Sequence, residues 1–62
     1  MSLMDERFQM LGEELAIRRA YPAPGDRHWF EARAATLIAV AAVWGHENQV
    51  AERLDAMRQL LN

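Results

Sequence analysis

The sequence contains no cysteine and no lysine. Without cysteine the chain forms no disulfide and offers no thiolate to a metal ion. Without lysine it can form no Schiff base and cannot contain the lysine of a phosphate-binding loop. All seven basic residues are arginine and the formal net charge is −2, so the chain as a whole has no attraction for phosphate backbones or anionic membranes.

The chain is also short, with 62 residues that we expect to form one domain, 1–62. A chain of this length buries only about 60% of its unfolded surface, which makes folding marginal. Small domains usually gain the missing stability from disulfides, metal ions or association with another chain. Because disulfides are excluded and no thiolate can hold a metal ion, we expect a homodimer or a larger protein partner.

The composition is that of a globular protein, with 52% hydrophobic and 26% charged residues. The longest uncharged stretch, residues 34–45, is about half the length needed to cross a bilayer. The sequence starts without the basic region and long apolar run of a secretory signal. We therefore expect a cytoplasmic protein without a membrane partner, and the eleven alanines with arginine in place of lysine suggest a bacterial genome rich in GC.

The spacing of apolar residues predicts an all-α protein, a helical hairpin or three-helix unit at about 3–20, 27–44 and 48–61, assembling into a dimeric helical bundle. In two of these segments apolar residues recur at intervals of four, three and four, which places them on one face of a helix. The residues with this spacing are Met4, Phe8, Leu11 and Leu15 in the first helix, and Val50, Leu54, Met57 and Leu61 in the third.

The boundaries of the first two helices are marked by polar and proline residues. Ser2 followed by Asp5 resembles a capping box, with aspartate in place of the usual glutamate. Pro22 disfavours helical dihedrals at the residue before it, so the first helix ends by residue 20 or 21. Asp26 offers an N-cap side chain to the second helix.

Gly45 leaves two possibilities open for the second half of the chain. Glycine favours a helix C-terminus, and Asn48 after it is a suitable N-cap, so we expect a turn. Against the turn, a continuous helix would join Val43 to Leu61 in an almost unbroken apolar seam. That alternative would give a long rod in place of a bundle.

The second predicted helix is apolar on all sides. Its alanines would allow another helix to approach closely, and a chain of this size has few neighbours to cover it. Its two tryptophans are fifteen positions apart, which corresponds to roughly 22 Å along a helix, and we expect at least one of them at an intermolecular contact. The predicted interface residues are Trp29, Phe30, Leu37, Ala41 and Trp44.

No set of residues specifies a reaction. His28 and Glu31 share a helical face and could supply two ligands to a metal, but two ligands are too few for a site. Thr36 lies in the apolar helix, where its hydroxyl is expected to bond to a backbone carbonyl one turn earlier. We therefore expect no catalytic residue, no metal site and no cofactor, and the protein is not predicted to be an enzyme.

Residues 37–54 resemble a helix-turn-helix DNA reader through Ala41, Gly45 and Leu54. The resemblance implies a DNA-binding regulator whose Asn48, Gln49, Glu52 and Arg53 reach the major groove. His46 departs from this pattern, since an apolar residue is usual at its place, and the acidic residues of the third helix repel phosphate.

The same segment is similar to a single tetratricopeptide repeat. Two helices joined by a glycine turn are a common arrangement in unrelated families. The sequence therefore favours a helical interaction or structural module that homodimerises or docks on a larger protein through its second helix. A small DNA-binding transcriptional regulator is the alternative, and a metal-binding helical bundle is the third possibility.

Overall fold

The computed structural model describes residues 2–61 and consists of three α-helices joined by short turns. They are α1 (Leu3–Ala20), α2 (Asp26–Ala42) and α3 (Glu47–Arg58), and a short 3-10 helix, Gln59–Leu61, follows α3. No strand occurs in residues 2–61. The prediction of an all-α, three-helix unit is confirmed. Of the predicted domain 1–62, Met1 and Asn62 lie outside the described residues.

The first helix begins at the predicted capping box. The backbone N–H of Asp5 donates to the Ser2 hydroxyl oxygen at 3.2 Å, and the Asp5 carboxylate accepts from the Ser2 backbone N–H at 3.4 Å. The helix ends at Ala20, where the Tyr21 N–H bonds to the carbonyl of Ile17 at 2.9 Å. Pro22 has no N–H to continue this pattern, so the helix stops here. The boundary predicted at residue 20 or 21 is confirmed.

The N-cap of α2 is Gly25, so the prediction of Asp26 as the cap is wrong. Gly25 has a φ of +90°, a left-handed conformation that glycine adopts without steric cost. Asp26 is instead the first residue of the helix. Its carboxylate accepts from the Ala23 N–H at 2.9 Å and from the Arg18 guanidinium at 2.8 Å, so it stabilises the turn and joins it to α1.

Gly45 forms the predicted turn and excludes the long rod. Its φ is +74°, and the turn has the hydrogen bonds of a Schellman motif: His46 N–H to Ala41 carbonyl at 3.0 Å and Gly45 N–H to Ala42 carbonyl at 3.2 Å. Because the last turn tightens in this way, α2 ends at Ala42, two residues before the predicted Trp44.

The N-cap of α3 is His46, and the prediction of Asn48 is wrong. The His46 carbonyl already accepts the first helical hydrogen bond, from the Val50 N–H at 3.1 Å. The His46 ring lies 2.9 Å from the side-chain oxygen of Gln49 and makes no cap bond to the backbone. Residues 43–46 therefore form the whole connection between α2 and α3.

The core is a single cluster formed by one row of residues from each helix. The rows predicted for α1 and α3 are confirmed, with Met4, Met57 and Leu61 partly buried at its ends. From α2 the core takes residues at intervals of four, three and four. Within this chain α1 and α3 therefore bury one face of α2. The buried residues are Phe8, Leu11, Leu15, Phe30, Ala34, Leu37, Ala41, Val50 and Leu54.

Arginine side chains join the helices across the edge of this core. Arg58 of α3 donates to both carboxylate oxygens of Glu31 on α2, at 2.5 and 2.9 Å, and also contacts Asp55. Its guanidinium lies 5.5 Å from the ring centroid of Phe30, and Arg53 lies 4.0 Å from that of Phe8. Cation–π contacts of this kind cover the aromatic rings while the charges stay near water.

Replacement of Leu54 by alanine tests the importance of the shared core. Leu54 is fully buried between the helices, so Leu54→Ala should lower the free energy of unfolding by about 2–5 kcal/mol. Leu60→Ala is the control, since Leu60 is about half exposed, and it should cost less than about 1 kcal/mol. Chemical denaturation followed by circular dichroism measures both. Equal effects would contradict this description of the core.

Candidate interaction surface

Seven large apolar side chains remain exposed in the described part of the chain, and four of them are on α1 or at its C-cap. Leu3, Met10 and Ile17 follow one another at intervals of seven, and Tyr21 is four residues further on. Each is more than half exposed. The other three are Val43, Trp44 and Leu60.

Two charged residues fill the intervals between these apolar residues. Arg7 and Glu14 complete a series with alternating spacings of four and three, which is the spacing of a helix–helix contact seam. The series lies beside the core row of α1, because the core row begins one residue later, at Met4. We call this series the α1 stripe: Leu3, Arg7, Met10, Glu14, Ile17 and Tyr21.

An apolar groove of about 450 Å³ lies at one end of the α1 stripe. It forms where the start of α1 meets the end of α2 and the Schellman turn. Trp44, 65% exposed, stands at its side, while Arg7, Ser2 and His46 are its polar residues. We call it the Trp44 groove. Its apolar lining is Leu3, Met4, Val40, Ala41, Trp44 and Val50.

A smaller depression of about 120 Å³ continues along the boundary between α1 and α2. Arg7 lines both spaces, so the two are adjacent. Met10 and Glu14 form its α1 side, and Arg33 and Thr36 are among the residues on its α2 side. The α1 stripe and the exposed side of α2 therefore form one face.

The charged residues of this face have few ion-pair partners within residues 2–61. Arg7 and Arg33 form no ion pair within residues 2–61, although the chain has more acidic than basic residues. Glu14 has only a long contact of 4.0 Å with Arg18. Arg18 makes its shorter ion pair with Asp26. The face therefore offers both a guanidinium and a carboxylate to another chain.

Three of the five predicted interface residues lie in the core of the monomer. Phe30, Leu37 and Ala41 are at most 4% exposed, so α1 and α3 already cover them. Trp29 is partly buried: it packs edge-on against Phe30 with ring centroids 6.2 Å apart. Of the five, Trp44 alone is largely exposed, and its place at an intermolecular contact stays a prediction.

The Arg18 side chain packs over the ring of Trp29. The Arg18 guanidinium lies 4.2 Å from its ring centroid, which is close enough for a cation–π contact. Its indole Nε1 is buried and has no hydrogen-bond partner within residues 2–61, which is unusual for a buried tryptophan. Trp29 borders the smaller depression, so part of it would lie under any chain that covers this face.

Neither candidate metal ligand belongs to a larger group of possible ligands within residues 2–61. Glu31 is paired with Arg58, and His28 is exposed at the start of α2. Within residues 2–61 no group of three or more histidine, aspartate or glutamate residues is arranged to hold a metal ion. Thr36 Oγ1 donates to the Ala32 carbonyl at 3.2 Å, as the sequence predicts.

The helix that would read DNA has its arginines engaged elsewhere. Arg53 lies over the Phe8 ring, and Arg58 pairs with Glu31 and Asp55. Asn48 and Gln49 are exposed at the start of α3.

In the described part of the chain, no helix is long and apolar enough to pass through a bilayer.

Comparison with protein families, with curated proteins and with solved structures finds no match for this chain. Its function must therefore be inferred from the surface itself. The α1 stripe was not among the predicted site residues, although its signal was present in the sequence. Leu3, Met10 and Ile17 recur at intervals of seven beside the more evident core row, and all three are large and apolar.

The two interhelical ion pairs predict acid sensitivity. Hydrogen bonds from the Ala23 backbone and from Arg18 hold the pKa of Asp26 below its ordinary value of 3.8. The hydrogen bonds from Arg58 lower the pKa of Glu31 below 4.5. A carboxylate with a lowered pKa in the folded state stabilises the fold above its unfolded pKa, and this stabilisation is lost as the pH falls through the folded value.

We therefore expect the melting temperature to be steady near neutral pH and to fall below about pH 4.5. The double variant Asp26→Asn, Glu31→Gln should melt at a lower temperature at pH 7 and lose less on acidification. Glu52→Gln is the control, because Glu52 has no ion pair within residues 2–61. Thermal denaturation at pH values from 7 to 2.5 measures the melting temperatures. If the double variant loses as much melting temperature on acidification as the wild type does, the prediction is wrong.

Proposed function

We propose that this chain is a helical interaction module that forms a homodimer through the face made by α1 and α2. The observation that carries the proposal is the exposed Trp44 beside an apolar groove of about 450 Å³. Tryptophan is enriched at the centres of protein interfaces, because it buries a large rigid surface. The hypothesis from the sequence placed the contact on α2 alone. The exposed residues of α1 now extend it.

The exposed surface supports association with another chain. The chain exposes 4495 Å². An average globular monomer of 7.1 kDa exposes about 4,100 Å². A standard interface covers about 800 Å² per partner, which is less than one fifth of the surface of this chain. A dimer of ordinary interface size is therefore compatible with a chain this small.

The energy available from the exposed residues is sufficient in order of magnitude. Each large apolar side chain that leaves water contributes about 1.5–3 kcal/mol. Leu3, Met10, Ile17 and Trp44 together contribute about 6–12 kcal/mol per copy if all four are covered. Association costs about 4–15 kcal/mol in lost translation and rotation. The apolar contribution of two copies is therefore of the same order as the cost of association.

Association can be followed through Trp44 itself. Trp29→Phe leaves Trp44 as the one tryptophan of the chain. We expect its fluorescence to shift to shorter wavelength as the protein concentration rises through the micromolar range, and sedimentation equilibrium to give twice the monomer mass. An unchanged emission and a folded monomer at 100 μM would contradict the homodimer.

A charge placed in the groove gives the matched test. Trp44→Glu should raise the dissociation constant about a hundredfold, because two carboxylates would be desolvated in each dimer. Leu60→Glu is the control, since Leu60 is exposed outside the face, and it should leave the constant within about threefold. Circular dichroism should show the same helical content in both variants. Equal effects on dimerisation would place the contact elsewhere.

A further inference from the structure

We infer that two copies of this chain pair α1 against α1 in antiparallel orientation, with Tyr21 of each copy in the Trp44 groove of the other. This inference rests on the proposed function and names its partner surface. Within residues 2–61 no second helix covers the apolar residues of the α1 stripe, while the core row of α1 packs against the other helices. A second α1 provides the same apolar residues at the same spacing.

The positions of the apolar residues make the stripe complementary to itself. Met10 is seven residues after Leu3 and seven before Ile17, so it lies at the centre of the series. In an antiparallel pair with the twofold axis at Met10, Leu3 of one copy lies beside Ile17 of the other. Met10 meets Met10 of the second copy. Every largely exposed apolar residue of α1 is then covered by another.

The charges on one flank of the α1 stripe are complementary in an antiparallel pair. Arg7 and Glu14 both border the smaller depression, so they lie on the same flank of the stripe. Twofold symmetry in an antiparallel pair sets this flank against itself and brings Arg7 of one copy beside Glu14 of the second copy, twice in each dimer. A parallel pair would not make this contact, because Arg7 of one copy and Glu14 of the other would lie about 10.5 Å apart along the helix axes.

The opposite flank of the α1 stripe carries Glu6 and Glu13. The same twofold symmetry brings Glu6 of one copy near Glu13 of the other, so these two carboxylates repel each other. Both are exposed. Salt weakens the repulsion between such exposed carboxylates, because the Debye length is about 10 Å at an ionic strength of 0.1 M. The two Arg7–Glu14 pairs oppose the remaining repulsion. The antiparallel orientation is also the one in which Tyr21 of each copy can reach the Trp44 groove of the other.

Tyr21 supplies the occupant of the Trp44 groove. It is 78% exposed and follows Ile17 by one helical turn. Since Ile17 lies beside Leu3 of the second copy, Tyr21 lies one turn beyond Leu3, where the Trp44 groove opens. The groove has room for an aromatic ring, and the phenol can bond at the polar edge near His46. Each groove is then completed by the other copy.

Cysteine cross-linking tests the orientation, and the chain has no native cysteine to interfere. Under mild oxidation Met10→Cys should form an intermolecular disulfide, because the two residues meet at the axis. Leu3→Cys alone should not cross-link, but a mixture of Leu3→Cys with Ile17→Cys should. Gln9→Cys is the control, since Gln9 is exposed on another face of α1 and should not cross-link.

The outcomes separate this inference from the proposed function. A Leu3→Cys disulfide would show a parallel pair and overturn the inference. A wild-type dimer in sedimentation with no cross-link at residue 10 would also overturn it, while leaving the homodimer in place. A wild-type monomer at 100 μM would remove the proposed function as well. Circular dichroism of each reduced variant verifies that it folds.

Exchange of the two charges provides a second readout. Arg7→Glu and Glu14→Arg should each raise the dissociation constant about tenfold or more, because each places two like-charged pairs in the dimer. The double variant should return to within about threefold of the wild type. Arg19→Glu, which changes an exposed arginine outside the stripe, should have little effect. Absence of rescue in the double variant would refute the Arg7–Glu14 pairing.

Discussion

The structure depends on one row of side chains on α2 that both other helices share. Phe30, Ala34, Leu37 and Ala41 are all buried, and the two alanines keep the row narrow. Because α1 and α3 pack on this same row, the core is one continuous cluster instead of two layers. Burial of apolar surface is the dominant favourable term in folding, so the rest of the chain must be arranged around this row.

Polar contacts fix the two helices that pack on the row. Arg18 joins α1 to the start of α2 through Asp26, and Arg58 joins α3 to α2 through Glu31. Both arginines also lie over aromatic rings, Trp29 and Phe30, and shield them from water. The arginines of the chain therefore help to close a core that 62 residues cannot enclose with apolar side chains alone. What stays uncovered is the face of α1 and α2.

Much of the fold is predictable from the sequence, and the reasons differ between elements. The rows of α1 and α3 are evident because each has one apolar face, and Gly45 marks the turn because a left-handed residue is needed there. The buried row of α2 is not predictable, since apolar residues surround that helix and the choice depends on where α1 and α3 pack. For the same reason the predicted site included Phe30 and Leu37, which the core takes up.

The most direct measurement of the central claim is an isotope-filtered nuclear Overhauser experiment on a mixture of labelled and unlabelled protein. Within one chain the methyl groups of Leu3 and Ile17 lie roughly 21 Å apart along α1, too far for a signal. We predict strong cross-peaks between Leu3 of one copy and Ile17 of the other. Cross-peaks that join Leu3 to Leu3, or none at millimolar concentration, would contradict the proposed arrangement.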